Sequence, residues 1–206
     1  MTLETIIKKE AKTDYKLVSH IENRWSPRTF SDIPISSNDI KILLEAGRWA
    51  ASSFNLQPWM IFWGTKGSKA YDMLFDCMND FNQSWAKSAP LLVATAYNTK
   101  KPDGKDNFHA LHDLGLFMGN MGIQAQSMGI GLHHMAGFDF EKAKRDLQLP
   151  DEYHVATMVA LGFYGGTMDN LNDELKEQEL NPNRERKPIA EFAFNGAYVD
   201  RAQLDT

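Results

Sequence analysis

The sequence predicts a layered α/β or α+β domain in which apolar strands alternate with amphipathic helices. Three runs of strand length are strongly apolar and rich in β-branched or aromatic residues, at 58–64, 90–97 and 154–164. Two other stretches repeat their apolar residues at helical spacing, at 38–49 and 108–128. The pattern does not decide whether the strands run parallel or antiparallel.

The N-terminal region predicts two helices. Apolar residues at helical spacing over 14–24 indicate an amphipathic first helix. A second helix is predicted from about residue 38 to residue 49. Ser36, with Asp39 three residues later, forms an N-terminal capping signal for it.

The middle of the chain predicts alternating strands and helices. Residues 58–64 and 90–97 are predicted as buried strands, separated by a helical piece around 69–78. The longest helix is predicted over 108–128, and a short strand follows at 131–135.

The C-terminal region predicts one more helix and one more strand before the pattern is lost. Asp139 is an N-cap for a helix that begins at Phe140, and 154–164 forms the last strong strand. The tail, 165–206, is polar and poorly patterned, so we expect an arm rather than a core element.

Three glycines lie on one face of the long predicted helix, because Gly115, Gly119 and Gly122 are four and three residues apart. Each lowers helix stability by up to about 1 kcal/mol relative to alanine. Such a stripe is tolerated where another helix backbone approaches closely. That neighbour is either a segment of the same chain or a second copy of the protein.

Composition predicts a single soluble domain over 1–206, since 43% of the 206 residues are hydrophobic and 24% are charged. The net charge of −5 argues against nucleic acid or an anionic membrane as partner, so a bound anion needs a local basic cluster. The lone cysteine, Cys77, cannot form an intrachain disulfide. With no signal-peptide core and no bilayer-length apolar run, we expect a cytoplasmic protein.

The common nucleotide-binding, nucleophilic and metal motifs are missing. There is no G-x-G-x-x-G after a strand, no P-loop and no G-x-S-x-G elbow. His109 and His112, three residues apart beside Asp113, form the candidate metal pair, but solvated or locally bonded histidines are the simpler interpretation. His133 and His134 are neighbours in a predicted strand, so they point to opposite faces and cannot chelate one ion. We therefore predict no metal site.

A basic cluster follows the first predicted helix. In the segment Arg24-Trp25-Ser26-Pro27-Arg28, two guanidinium groups flank a Ser-Pro break. Guanidinium groups match phosphate oxygens in bidentate geometry, so the segment suits a phosphate monoester. A solvated basic turn is the alternative.

A neutral polar cluster lies between a predicted helix and a predicted strand. Ser52 and Ser53 provide hydroxyls, and Asn55 and Gln57 provide side-chain amides. Such donors and acceptors suit the polar edge of a flavin ring. A turn held by local side-chain-to-backbone hydrogen bonds is the alternative.

With these clusters, the sequence resembles the FMN-dependent nitroreductase family over about 15–194. The family's landmarks occur in its order: R-x-S-x-R from Arg24, A-x-S-S-x-N-x-Q-P-W from Ala50, N-x-x-W-x-x-x-A-P from Asn82, M-G-x-G then G-F-D from Met128, and R-x-R-K-P from Arg184. No one motif is decisive, but five in the right order are specific.

The resemblance implies an α+β three-layer sandwich, with a central, mostly antiparallel sheet flanked by helices and a C-terminal arm exchanged in a homodimer. It implies FMN bound between the subunits, NADPH or NADH as diffusible electron donor, and nitroaromatic, quinone or similar small acceptors in a ping-pong reaction. Because the flavin does the redox chemistry, no catalytic acid, base or nucleophile is expected. A dehalogenase- or oxidase-type relative, or a flavin-based redox sensor without turnover, is the alternative.

The resemblance also implies a set of cofactor-binding residues. The arginine-containing segments are expected at the FMN phosphate and ribityl chain, the serines and Asn55 at the partner subunit's flavin, and the 135–137 backbone near flavin N5. Gln57 and Asn82 are expected near the ring or ribityl chain. Ala136 replaces the Glu or Gly of several relatives, which is harmless if only its backbone N–H is used and alters substrate choice if a carboxylate is needed. The full set is Arg24, Trp25, Ser26, Arg28, Ser52, Ser53, Asn55, Gln57, Asn82, Met135, Ala136, Gly137, Arg184 and Arg186.

Overall fold

A computed structural model describes residues 6–198 of the chain. Its strands are β1 (Trp59–Thr65), β2 (Leu91–Asn98), β3 (Ile130–Met135) and β4 (Tyr153–Phe163). Its helices are α1 (Ser19–Asn23), α2 (Ser37–Arg48), α3 (Lys69–Phe75), α4 (Asp80–Ala86), α5 (Ala110–Ser127), α6 (Phe140–Asp146) and α7 (Asp173–Leu180). The strands form one sheet in the order β1-β2-β4-β3, and every neighbouring pair is antiparallel.

The two central strands supply both faces of the core. Val93 pairs with Val159 and Ala94 with Met158, so consecutive residues of β2 and β4 point to opposite faces. The face covered by α3, α4, α6 and α7 receives Leu92, Ala94, Met158 and Ala160. The face covered by α2 and α5 receives Leu91, Val93, Val159 and Leu161. Helices on both faces of one antiparallel sheet confirm the predicted α+β sandwich.

Local sequence signals explain where several helices begin. At α2 the Ser36 hydroxyl accepts from the N–H of Asp39 at 3.1 Å, and the Asp39 carboxylate accepts from the N–H of Ser36 at 3.2 Å. The N-cap predicted at Ser36 is confirmed, and the two bonds together form a reciprocal capping box. The predicted cap of α6 is also confirmed, because Asp139 accepts from the N–H of Lys142 at 2.8 Å. No helix within residues 6–198 is both long and apolar enough to cross a bilayer.

Two element predictions were wrong in detail. The first helix is confined to α1, and the preceding part of 14–24 is not helical. Strand β1 lies at the edge of the sheet, and its Met60 and Trp63 side chains are exposed, although the sequence predicted a buried strand. An aromatic run has the same pattern in a central strand and in an edge strand, so the sequence does not separate the two.

The tail was predicted as an arm, but part of it belongs to the core. Helix α7 is capped by Asn172, and Leu171 and Leu175 are buried against the sheet. The sequence of α7 holds too few apolar residues to show helical spacing, so only tertiary contact reveals it. The end of the predicted arm, 199–206, lies outside the described residues.

The glycine stripe on α5 has no close neighbour within residues 6–198. A Cβ added at Gly115, Gly119 or Gly122 would meet nothing within 4 Å. The close intrachain contact, one of the two predicted explanations, is therefore not found in this part of the chain. The other predicted explanation, contact with a second copy, stays a prediction.

Candidate functional site

Cations from both ends of the chain meet at one cavity. Arg24 directly follows α1, whereas Arg184 and Arg186 lie beyond α7, and all three line a cavity of about 730 Å³. Lys12 and Lys187 line it too. Its apolar wall consists of Leu17, Ile21, Ile189 and Phe192. The cavity therefore suits an anionic group attached to an apolar body.

The two C-terminal arginines differ in how far their donors are already used. Nη1 of Arg184 donates to the carbonyl oxygens of Lys9 at 2.8 Å and Glu22 at 2.7 Å, which ties the N-terminal segment to α1. Burial, followed by repulsion from Arg24 and Arg186, lowers the pKa of Arg184. Arg186 is exposed, and within residues 6–198 its guanidinium group donates only to the carbonyl of the preceding residue. Arg186 is thus the freer of the two to bind an anion.

A buried carboxylate from α7 holds the end of the first arginine segment. Glu179 is 1% exposed, and its Oε1 accepts from the backbone N–H groups of Arg28 at 2.8 Å and Thr29 at 3.2 Å. The Thr29 hydroxyl donates to the same oxygen at 3.3 Å. Within the described residues, Nε of Arg28 and Oε2 of Glu179 are buried without a hydrogen-bond partner. Helix α7 therefore fixes the backbone from which Arg28 projects.

Trp25 and Ser26, inside the same segment, have different surroundings. The Trp25 indole is buried and stacks on Tyr164 with 5.8 Å between ring centroids. Nζ of Lys9 also lies over the indole ring, 4.4 Å from its centroid. Ser26 is exposed. The indole therefore supports the segment, and the hydroxyl is the group that a ligand can reach.

The arginine segment lies beside β3, which leads to the 135–137 segment. Nδ1 of His133 donates to the carbonyl of Pro27 at 2.9 Å. Burial, followed by the charge of Arg28, lowers the pKa of His133 to about 4. At about 3.3 Å per strand residue, Ala136 is about 10 Å further along the chain. The cations and the 135–137 backbone therefore lie in the same part of the molecule.

Two asparagines hold the backbone at Gly137. Its carbonyl accepts from Nδ2 of Asn82 at 2.9 Å and from the N–H of Asn79 at 3.1 Å. A Cβ at position 137 would lie 2.5 Å from Nδ2 of Asn79 and 2.8 Å from Nδ2 of Asn82, so any larger residue would displace these two amide groups. The hydrogen bonds within residues 6–198 leave the N–H groups of Ala136 and Gly137 without an acceptor. These two donors are available to a ligand.

The loop formed by residues 52–57 has a strained backbone. Phe54, Asn55 and Gln57 have positive φ angles of 52°, 56° and 49°. This conformation costs a non-glycine residue about 1 kcal/mol or more. The Phe54 side chain at the loop tip is 89% exposed. Such strain is maintained by surrounding contacts and is common at ligand sites.

Asp113 ties this loop to the first turn of α5. Its Oδ2 accepts from the backbone N–H of Ser53 at 3.1 Å, and its side chain is buried. Nδ1 of His112 lies 3.4 Å from the other carboxylate oxygen. Among residues 6–198, no three His, Cys, Asp or Glu side chains converge in a way that could hold a metal ion.

The 52–57 loop and the arginine cluster lie at opposite ends of α5. The loop is attached through Asp113 near the start of the helix. Near its end, the Tyr164 hydroxyl donates to Oε1 of Gln126 at 2.7 Å and is 3.4 Å from the carbonyl of Trp25. At about 1.5 Å per residue, Asp113 and Gln126 are about 20 Å apart along the axis. One chain therefore does not bring the two clusters to one point.

Comparison with known proteins decides the family. The nitroreductase family model matches this chain over 21–80 and 65–163. The chain belongs to the nitroreductase family. Among solved structures, this nitroreductase-family chain is similar to an oxidoreductase containing FMN, with a TM-score of 0.85 and 29% identity over 93% of this chain and 97% of that one.

More distant relatives share the nitroreductase fold or part of the sequence. A Desulfovibrio desulfuricans protein in complex with FMN has a TM-score of 0.67 and 20% identity, covering 90% of this chain and 99% of that chain. An uncharacterized 15.4 kDa protein in the ask 5′ region of Mycolicibacterium smegmatis is 28% identical over 138 residues, which is 66% of this chain and 91% of that protein.

The structure groups the predicted site residues into three sets. The first set is Arg24, Arg184 and Arg186, which line one cavity, with Trp25, Ser26 and Arg28 next to Arg24 in the chain but outside the cavity lining. In the second set Asn82 contacts the 135–137 backbone. The third set is the distant loop, with Ser52, Ser53, Asn55 and Gln57. Sequence reasoning missed the supporting residues Glu179 and Asp113. A carboxylate that binds backbone N–H groups leaves no motif, so only the fold reveals either of them.

Proposed function

We propose that this protein is an FMN-dependent oxidoreductase that takes electrons from NADPH or NADH and passes them to a nitroaromatic, a quinone or a similar small acceptor. The observation that carries the proposal is the meeting of Arg24, Arg184 and Arg186 at one cavity in a chain of net charge −5. An acidic protein that gathers guanidinium groups from both chain ends has a specific use for an anion. Family membership makes the FMN phosphate the best candidate.

The residues present fit the cofactor. Arg24 and Arg186 line the cavity and offer charged donors for a phosphate dianion. In the same segment as Arg24, Nε of Arg28 is a buried donor that lacks a partner within residues 6–198. Arg184 contributes its charge while holding the N-terminal segment. The Ser26 hydroxyl is exposed beside them. The 135–137 segment begins about 10 Å along the chain from His133, which bonds to the arginine segment, and its unused N–H groups suit the polar edge of a ring.

These contacts indicate which tasks fall to the cofactor and which to the protein. When bound, FMN supplies the two-electron redox chemistry, and the protein supplies binding, orientation and electrostatics. Asn82 holds the Gly137 carbonyl, so the Ala136 and Gly137 donors keep a fixed direction. Ala136 has no functional side chain, so its backbone N–H is its contribution. We propose that donor and acceptor use the same face in turn, which gives ping-pong kinetics.

A homodimer completes the proposed site. The 52–57 loop is about 20 Å along α5 from the arginine cluster of its own chain, so we propose that its Ser52, Ser53, Asn55 and Gln57 serve the cofactor of a second copy. The outer face of α5 supports this pairing. Gly115 and Gly119 leave open space there, and Leu111 and Leu116 expose apolar side chains.

The exchange of a C-terminal arm is proposed for the last part of the chain. Up to Arg184 the tail packs on its own chain, through α7 and the contacts to the N-terminal segment. Ile189 and Phe192 still line the arginine cavity of their own chain, and beyond them the Tyr198 ring is exposed. We propose that this aromatic end covers the partner subunit.

Two further properties belong to the same proposal. The chain acts as a single domain over 1–206, which is supported by one sheet that carries both cores. It works in the cytoplasm, which is supported by a single cysteine, Cys77, that is buried and free.

A visible absorbance spectrum of the freshly purified protein tests the function. We expect a flavin spectrum that bleaches on anaerobic addition of NADPH or NADH and returns when a nitroaromatic is added. A protein that stays colourless after incubation with FMN contradicts the proposal. Bleaching once without turnover by nitroaromatics or quinones would instead indicate a redox sensor.

A further inference from the structure

We infer that Asp113 is the positioning residue for the 52–57 loop and that, through this loop, it controls cofactor binding at the partner subunit. The inference rests on the proposed function, because it assumes an FMN site shared between two subunits. It adds a residue that no sequence motif marks.

The geometry of Asp113 is that of an anchor. The residue is 1% exposed, and its Oδ2 accepts a hydrogen bond from the Ser53 N–H at 3.1 Å. The residue lies in the first turn of α5, where the helix N-terminus favours a negative charge. A charge-assisted hydrogen bond to a buried carboxylate is among the stronger single contacts that a backbone N–H can make.

The loop needs such an anchor because its own bonds are local. The N–H of Gln57 donates to Oγ of Ser52 at 3.1 Å, and Nε2 of Gln57 donates to the carbonyl of Asn55 at 3.0 Å. These bonds close the loop on itself but do not orient it on the domain. Three of its residues have positive φ, so the observed shape is not the one that the free segment prefers. The bond from Ser53 to Asp113 connects this shape to a rigid helix.

The effect of Asp113 is expected in the partner's site. Its loop lies about 20 Å along α5 from the arginine cluster of the same chain. Loss of the anchor therefore disturbs the 52–57 loop that this subunit contributes to the partner's FMN site. The arginine cluster of the same subunit, which belongs to the other FMN site, stays intact.

Single substitutions test the anchor. Asp113→Ala removes the acceptor, and we expect FMN to dissociate at least tenfold more readily, as measured by fluorescence on dilution. Asp113→Asn keeps an oxygen that can accept from Ser53, so we expect it to restore most of the affinity. His112→Ala, which removes the exposed neighbour of the carboxylate, serves as the matched control and should change affinity less than twofold. Wild-type affinity in Asp113→Ala would overturn the inference.

If Asp113→Ala does not fold, the same hydrogen bond can be removed from the other side, by changing Ser53, whose N–H is the donor. Residues Ser53–Asn55 form a short 3-10 turn in the loop, and Ser53→Pro removes the N–H at its first position. Ser52 has the extended backbone that is favoured before a proline. Ser53→Ala keeps the N–H and removes only the hydroxyl. We expect Ser53→Pro to lose FMN much more than Ser53→Ala. Equal retention in both variants would contradict the role of the bond.

Mixed dimers separate this role from general destabilisation. Subunits carrying Asp113→Ala and subunits carrying Arg24→Ala are co-expressed with different tags and purified through both tags. Each mixed dimer then contains one site with an intact loop and an intact arginine cluster, so we expect one tightly held FMN per dimer and none in either parent dimer. A mixed dimer without FMN would overturn the inference while the wild type still binds. A wild type that binds no FMN would overturn the proposed function itself.

Discussion

The carboxylate of Glu179 and the backbone N–H of Arg28 are joined by a hydrogen bond of 2.8 Å, although the two residues are far apart in the chain. The same Oε1 atom also receives the N–H and the hydroxyl of Thr29. One buried acceptor therefore satisfies three donors directly after the arginine segment. Helix α7, which bears it, links the C-terminal tail to the proposed phosphate site.

Replacing Glu179 separates its charge from its hydrogen bonds. Glu179→Ala leaves the N–H groups of Arg28 and Thr29 buried without an acceptor, so we expect the free energy of unfolding to fall by about 2–4 kcal/mol and FMN retention to weaken. Glu179→Gln keeps an oxygen at the Oε1 position, so we expect a smaller loss of both. Urea unfolding and FMN titration measure the two effects. Equal losses in both variants would show that the charge, not the geometry, is what matters.

Replacing Arg186 tests the phosphate site with little effect on folding. Its side chain is exposed and, in the part of the chain that the structure describes, bonds only to the carbonyl of Glu185, so Arg186→Ala removes a cation without opening the core. We expect FMN affinity to fall about tenfold, which corresponds to about 1.4 kcal/mol for a charge-assisted contact. The midpoint of thermal unfolding of the apoprotein should not change. Arg145→Ala on α6 is the matched control for loss of one exposed positive charge, and cofactor content unchanged in Arg186→Ala would count against the site.

Arg184 shows why the sequence did not rank the two C-terminal arginines. Both belong to the same R-x-R motif, and their residue types are identical. The structure differs, because Arg184 uses Nη1 for the carbonyls of Lys9 and Glu22, whereas Arg186 remains exposed. Which carbonyl lies near an arginine depends on how the N-terminal segment folds back, and no local pattern records this.

Local sequence patterns do not record tertiary contacts, and this explains which elements were predicted well and which were missed. Helix α2 and the strand β4 have strong local signals, a capping box and a long apolar run, and both were located correctly. Helix α7 has few apolar residues and is held by burial of Leu175 and Glu179, so its sequence looked like an arm. The antiparallel order of the strands was implied by family resemblance and is set by tertiary pairing, which a single sequence does not display.

Replacing a glycine on the exposed face of α5 by alanine should stabilise the monomer but weaken the dimer. Gly115→Ala adds a methyl group into open space, so the isolated helix should gain up to about 1 kcal/mol. If the same face meets a second copy closely, the methyl group clashes there and the dimer weakens. We therefore expect a higher unfolding midpoint at high dilution and a larger dimer dissociation constant, measured by analytical ultracentrifugation. The double substitution with Gly119→Ala should enlarge both changes, and an unchanged or tighter dimer would contradict the proposed interface.

His133 gives the protein a defined sensitivity to acid. Its ring is packed against Trp85 with 4.6 Å between centroids, and Nδ1 donates to the carbonyl of Pro27. Burial, followed by the charge of Arg28, lowers its pKa from 6.5 to about 4, so the folded protein holds the ring neutral.

The sign of the effect follows from proton binding. Between pH 6.5 and about 4 the unfolded chain binds a proton at His133 that the folded chain does not, so the free energy of unfolding falls as the pH is lowered. The free energy of unfolding falls by about 3 kcal/mol in total across this window, and His133 causes no such loss above pH 6.5.

His133→Asn retains a donor near the Nδ1 position and cannot titrate. The stability of this variant should therefore depend less on pH in this window, as measured by urea unfolding at a series of pH values. His20→Asn is the control at an exposed histidine on α1 and should follow the wild type. Parallel pH profiles for the wild type and His133→Asn would show that His133 has the same pKa in the folded and the unfolded protein, which would contradict the lowered pKa.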